Sequence, residues 1–310
     1  MCYFIYDRMH IPDGVLSWKV WVSLDAVVVP AVGYMARQAG KNMEENRIPL
    51  LGVMGAFVFA AQMINFPVGP GTSGHLVGGA LLAITLGPAA ASLVMTAILL
   101  TQALIFQDGG VLALGANILN MGLVGVMAGF LPYHLLGGGN WRRMSIFLGG
   151  ALSVLVSAAL ALLQLTLSGV PMGAGVVGIS AVLFLVNAVL EGAITLAVAE
   201  GIESINPNWL RKSSGQTGKL AGALAALAIL LAAVGVLFAS TSPDGLEKLL
   251  ASAGLSTTTQ LLPQSPMADY QIRIFQDDWL RKSSAGLAGL LLIYAICLGM
   301  SRYIRRRGSA

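Results

Sequence analysis

The sequence predicts an all-α fold: a polytopic bundle of about nine membrane-spanning helices with its N-terminus outside. Composition is the first ground, since 56% of the 310 residues are hydrophobic and only 10% are charged, a balance foreign to soluble domains. The second is length. The apolar residues gather in separate runs of about 20, the number an α-helix needs to cross roughly 30 Å of hydrocarbon. The third is the placement of the 18 lysines and arginines, which follows the asymmetry of membrane topology rather than forming one basic patch.

The runs fall in order at 15–35, 48–66, 75–86, 88–106, 111–131, 144–167, 176–199, 220–239 and 285–300. The third is short and meets the fourth at Gly87-Pro88, where proline breaks the helical ladder, so a partial or tilted span is expected there. Small residues recur at helical spacing at Gly52, Ala56 and Ala60, at Gly125 and Gly129, and at Ser153, Ser157 and Ala161. Such stripes let helices approach closely, within the bundle or against a partner subunit. The seventh run carries Asn187 and Glu191, an i,i+4 pair in mid-membrane, read as interior hydrogen-bonding residues with a cation path as the alternative. Three units follow: a bundle at 9–200, a polar cytoplasmic linker at 201–218, and a module at 219–310 with two helices around an outer loop. The hexapeptide Trp-Leu-Arg-Lys-Ser-Ser stands at 209–214 and again at 279–284, before an apolar helix each time, and its tryptophans suit a membrane interface.

Charge sets the orientation. With the N-terminus outside, the inner loops hold Arg37, Lys41, Arg47, Arg142, Arg143, Arg211, Lys212, Lys219, Arg302, Arg305, Arg306 and Arg307, and the outer side only Arg8, Lys19, Lys248, Arg273, Arg281 and Lys282. The third run must then cross, because losing it would invert every later loop.

Several function classes find no support. A net charge of +4 and a pI near 9.2 would suit nucleic acid, but the basic residues are dispersed over loops. Cys2 and Cys297 make neither a disulfide framework nor a CxxC site, and no cleavable signal segment is evident. The run Gly215 to Leu220 resembles the tail of a P-loop, yet Ser213 replaces the first glycine and Leu220 the magnesium-binding hydroxyl, so ATP hydrolysis is not expected of this chain. No HExxH is present. Gly71-Thr72-Ser73-Gly74 matches a GxSG of intramembrane serine hydrolases, but His134, the available base, belongs to the inner end of another helix.

Polar residues inside the runs are uneven. Gln62, Asn65, Gln102, Gln107, Asp108, Asn117 and Gln164 fall toward the outer ends, with Asn120 a turn deeper, making a polar cup that faces outward. His10, in Met9-His10-Ile11-Pro12-Asp13-Gly14, and His75, after Gly71-Thr72-Ser73-Gly74, lie on that same side. Neutral imidazole suits transition metals. A plain interfacial role is the other reading for each histidine.

The stretch MHIPDGVLS from Met9, INFPVGPGTSGHLVGG from Ile64 and QALIFQDGGVLALGANILNM from Gln102 to Met121 together resemble the CbiM/NikM family, the metal-binding membrane (S) component of nickel and cobalt energy-coupling factor transporters. Ser242-Pro243-Asp244-Gly245-Leu246-Glu247 resembles the PDGLE signature of their small accessory subunit, here joined to the same chain. The resemblance implies capture of nickel(II) or cobalt(II) as cargo, no organic cofactor, and partners in a transmembrane coupling subunit and ATP-binding-cassette ATPases. The HIPDG form is closer to nickel members. The implied ligands are the Met9 amine, the backbone and ring nitrogens of His10, and His75; Gln62, Asn65, Gln102, Asp108, Asn117 and Asn120 would orient them. An amine donor requires Met9 to be terminal, so a functional chain beginning there is expected, with residues 1–8 a wrongly assigned start or removed. The competing reading is an autonomous secondary carrier or channel for a divalent cation, against which stands Glu191 as the lone clear mid-membrane carboxylate.

Overall fold

The structure, a computed structural model, describes residues 10–42, 47–206, 217–255 and 263–308. Eleven α-helices are found among them: α1 (Trp18–Asn42), α2 (Ile48–Gln62), α3 (Gly79–Leu86), α4 (Pro88–Thr101), α5 (Leu114–Asn117), α6 (Val126–Leu136), α7 (Arg142–Leu167), α8 (Ala174–Ile205), α9 (Thr217–Ala233), α10 (Gly245–Ser252) and α11 (Asp278–Gly308). A hairpin of β1 (Phe66–Gly69) and β2 (Thr72–Gly74) follows α2. Helix α4 runs on through a π-helical stretch at Gln102–Phe106, and a second one at Ile118–Gly125 joins α5 to α6.

Seven stretches are long and apolar enough to cross a membrane: Trp18–Lys41, Pro88–Phe106, Leu114–Leu136, Arg142–Leu167, Ala174–Ile205, Gly218–Leu237 and Asp278–Arg306. The protein is a multi-pass helical membrane protein. Two of the expected runs differ from the rest. The run at 48–66 forms the 15-residue α2, buried at all but two positions, and the run at 75–86 is helical only over the eight residues of α3. The reason is that hydropathy reports burial without saying in what: α2 and α3 are apolar because protein surrounds them. Helix α2 packs against α4, α9 and α11, whereas α1, α7 and α8 turn Val29, Leu163 and Val182 outward.

Residues 75–86 nonetheless carry the chain from end to end. His75 stands beside His10 at one end, and at the other Leu86, Gly87 and Pro88 line a cavity of about 350 Å³ with Tyr34, Gln38 and Arg47. The traverse is part irregular chain and part helix; eight helical residues span only about 12 Å. Gly78, at φ +76°, permits the change of path, and the expected break falls where Gly87 (φ +84°) precedes Pro88 at the first turn of α4.

The small-residue stripes are filled by this chain itself. A Cβ on Gly52 would stand 2.7 Å from the Tyr294 ring, and one on Gly129 2.7 Å from Ala80 Cβ. Helices α7 and α8 meet closely at Gly150, where a Cβ would stand 2.8 Å from Gly192 Cα and 2.9 Å from Thr195 Oγ1. Replacing Gly150 with Leu is therefore expected to splay α7 from α8 and to lower the melting temperature of the purified protein by several degrees, an overpacking cost of roughly 1–3 kcal/mol or more. An unchanged melting curve would show the contact to be pliable. At the end of this pair remote from His10, the Arg142 guanidinium grips both carboxylate oxygens of Glu203.

The C-terminal helices are integrated into the bundle. Trp279 Nε1 and Ser283 Oγ both donate to the Ala233 carbonyl, at 2.6 and 3.1 Å, so the second hexapeptide ties α11 to the end of α9. The first copy, at 209–214, lies outside the described residues.

Candidate metal centre

His10 is placed by its neighbours in the chain. The Asn117 side chain, at the end of α5, accepts the Ile11 N–H at 3.1 Å and donates to the Ile11 carbonyl at 3.1 Å, and the Gly110 N–H donates to that carbonyl at 2.9 Å. Two residues on, the Asp13 carboxylate accepts the N–H groups of Val111 and Leu112 at 2.9 and 2.7 Å. The segments 10–13 and 108–112 thus interlock, and only glycine fits the crossing. A Cβ on Gly109 (φ +91°) would stand 2.8 Å from His10 Cβ, and one on Gly110 2.4 Å from the Asp13 nitrogen. Within this lock His10 Nδ1 faces Asp108 Oδ1 at 3.2 Å, while the other Asp108 oxygen accepts the Tyr270 hydroxyl at 2.7 Å. His10 Nε2 is buried with no hydrogen-bond partner among the described residues.

His75 approaches from the hairpin. The two imidazole centroids are 6.2 Å apart with planes tilted by 48°, and both residues are buried. His75 Nδ1 lies 3.0 Å from the Leu76 carbonyl. A carbonyl only accepts, so Nδ1 carries the proton and the lone pair resides on Nε2, the arrangement that fits an imidazole as a ligand.

The hairpin and the loop that follows it are held from three directions. From within, Gln62 Nε2 donates to the Val77 carbonyl at 2.8 Å and is itself backed by Gln102, whose Nε2 donates to Gln62 Oε1 at 3.0 Å. From α8, Asn187 Nδ2 donates to the His75 carbonyl at 3.3 Å, and the Glu191 carboxyl accepts from Val77 and Gly78. From the C-terminal module, the Pro243 carbonyl accepts the Ser73 N–H at 2.9 Å, and Lys248 Nζ donates to the Pro70 carbonyl at 3.0 Å and to Thr72 Oγ1 at 2.7 Å. Asp244 caps α10 in a reciprocal box with Glu247 through Oδ1, and its Oδ2 stands 4.0 Å from His75 Nε2. A cavity of about 90 Å³ opens beneath the histidines, lined by both of them and by Asn117, Asn120, Asn187 and Asp244.

The expected residues separate into those at the histidines and those one layer away. Asp108 and Asn117 touch the His10 segment; Gln62 and Gln102 stand behind the backbone of the His75 loop. Asn120 lines the cavity and exchanges hydrogen bonds of 2.9 and 2.7 Å with Gln164. Asn65 is buried, and its backbone carbonyl accepts the Ser240 N–H at 2.8 Å. Met9 lies outside the described residues. Asp13 and Asp244, read only as motif residues, and Asn187 and Glu191, expected as interior hydrogen-bonding residues, join the site without having been assigned to it, because each acts on backbone or on a histidine more than 50 positions away. Among the described residues no group of three or more His, Cys, Asp or Glu side chains could hold a metal, so any cation here takes other donors as well. The serine-hydrolase alternative loses its nucleophile: Ser73 Oγ donates to the Ser242 carbonyl at 2.6 Å, and His134 packs on Phe130 with centroids 5.6 Å apart.

Comparison with known proteins is consistent along the chain. Residues 10–209 match the family model described as cobalt uptake substrate-specific transmembrane region, and residues 218–306 match the PDGLE domain. A protein of Archaeoglobus fulgidus named as a fused nickel transport protein, NikMN, is 33% identical over 306 residues, 96% of this chain and 99% of the relative. A similarly named protein of Lactiplantibacillus plantarum, LarMN, is 32% identical over 275 residues, 80% of this chain and 83% of the relative. The crystal structure of a transition metal transporter aligns with a TM-score of 0.57 at 32% identity, covering 67% of this chain and 99% of the other.

Proposed function

The chain belongs to the cobalt uptake substrate-specific transmembrane family, with a PDGLE domain on the same polypeptide, and we propose that it captures nickel(II) or cobalt(II) outside the cell for uptake as the substrate-binding subunit of an ATP-driven transporter. The observation that carries this is the meeting of His10 and His75, with ring centroids 6.2 Å apart in a buried, hydrogen-bonded frame built from distant parts of the sequence. The frame lies at the end of the bundle opposite Arg47 and Arg142, which agrees with an outward-facing site.

In this reading the functional chain begins at Met9, and the Met9 amine, the deprotonated His10 amide nitrogen and His10 Nδ1 would hold the cation in fused five- and six-membered chelate rings, with His75 Nε2 at the fourth corner. Four nitrogens in a plane suit nickel(II). Asp108, 3.2 Å from His10 Nδ1, places a carboxylate beside the divalent charge. This chain supplies selection and storage of the ion; the coupling subunit and the ATPases supply movement.

Titration of the purified protein, its N-terminus established at Met9 by intact mass, with nickel and with cobalt, each against a competing chelator, tests the proposal. Stoichiometric binding of one ion per chain, tighter for nickel, is expected. Binding of neither ion overturns it, and tighter cobalt binding reverses the preference between them. Uptake into vesicles should also require added coupling and ATPase subunits. Ion-gradient uptake by this chain alone would make it a secondary carrier instead.

A further inference from the structure

Glu191 takes no part in the ligand set, yet it is fully buried in the interior of α8. An ionisable side chain within a membrane helix is expensive to keep and is retained where it has specific partners or a function. Its partners here are two backbone groups: Oε2 accepts the Val77 N–H at 2.7 Å and Oε1 the Gly78 N–H at 2.8 Å. One turn nearer the histidines on the same face of α8, Asn187 Nδ2 donates to the His75 carbonyl at 3.3 Å. The helix therefore grips the chain on both sides of Leu76, immediately after the residue that presents its imidazole to His10.

The grip leaves the loop little room. A Cβ on Gly74 would stand 2.4 Å from Asn187 Oδ1, and one on Gly78 2.5 Å from Val58 Cγ1. Only a carboxyl group of this length satisfies both amides. A glutamine would accept one N–H and turn its own NH₂ toward the other, and an alanine would leave both donors buried and unpaired.

We propose that Glu191, with Asn187, is a positioning residue that fixes where His75 stands and so sets the affinity of the site for a divalent transition-metal ion. The inference rests on the capture function proposed above. It is tested in the protein beginning at Met9, with both domains present, by the substitutions Glu191→Gln and Asn187→Ala. Three readouts are compared with the parent: amide hydrogen exchange of the peptide covering 75–78, affinity for nickel(II) against a competing chelator, and the visible absorption of the bound nickel.

Glu191→Gln should speed exchange at 75–78, loosen nickel by about 10–100-fold, the range for groups that orient a ligand, and shift the absorption of the bound ion. Asn187→Ala should do the same to a smaller degree. It also serves as the deciding variant if Glu191→Gln does not fold. Faster exchange with parental affinity and absorption would reduce the pair to a structural clamp and overturn the proposal, as would unchanged exchange. The two readings fail differently: a parent that binds neither nickel nor cobalt ends both, whereas a binding parent with unaltered variants ends this one alone.

Discussion

Replacing His75 with Ala should abolish tight nickel binding while leaving a folded, membrane-inserted protein. Groups that only orient a ligand are worth about 10–100-fold in affinity, so loss of a donor itself should exceed roughly 100-fold. The fold should survive because the backbone of the loop is held independently of the ring. The backbone of 73–78 is fixed by Ser73 to Pro243, by Asn187 to the His75 carbonyl and by Gln62 and Glu191 to Val77, none of which uses the imidazole. Chelator-competed titration, with size-exclusion profiles of variant and parent side by side, checks both halves. Binding within about threefold of the parent would leave His75 as an interfacial residue.

Asp13→Ala should be nearly as damaging, by another route. The carboxylate satisfies the N–H groups of Val111 and Leu112 in a part-buried setting, and truncation removes the protein partner of both, at up to about 1–3 kcal/mol each. The N-terminal segment carrying His10 would then part from the glycine pair it interlocks with. Faster amide exchange at 108–112 and a weakening of nickel binding of at least tenfold are expected. A variant with parental exchange there would show that Asn117 and Gly110 alone secure the segment.

The helical, membrane-embedded character was legible because lipid and protein interior both demand apolar residues over a helix length. That same ambiguity hid the difference between α2, enclosed by protein, and α8, whose outer face carries Val182 and Val189. The two histidines stood out as two of only three in the chain, and Asp108 and Asn117 through the depth at which they occur. The rest could not be seen. Asp13 and Glu191 act on main-chain N–H groups, which every residue carries and no pattern marks. Asp244 lies 169 positions from His75, so no helical or strand period links them. The brevity of α3 had a visible cause in Gly78 and Gly87, but whether a glycine turns the chain or merely packs is decided by its surroundings.

The bonds between the hairpin and the C-terminal module also set an order in time. Ser73 is fixed by carbonyls of residues 242 and 243, and Asp244 reaches the imidazole of residue 75. Synthesis runs from the N-terminus at about 5–20 residues per second, so the hairpin waits on the order of ten seconds or more for those partners to leave the ribosome. Through that interval the histidine loop lacks its outer brace, and its final geometry belongs to the finished polypeptide alone.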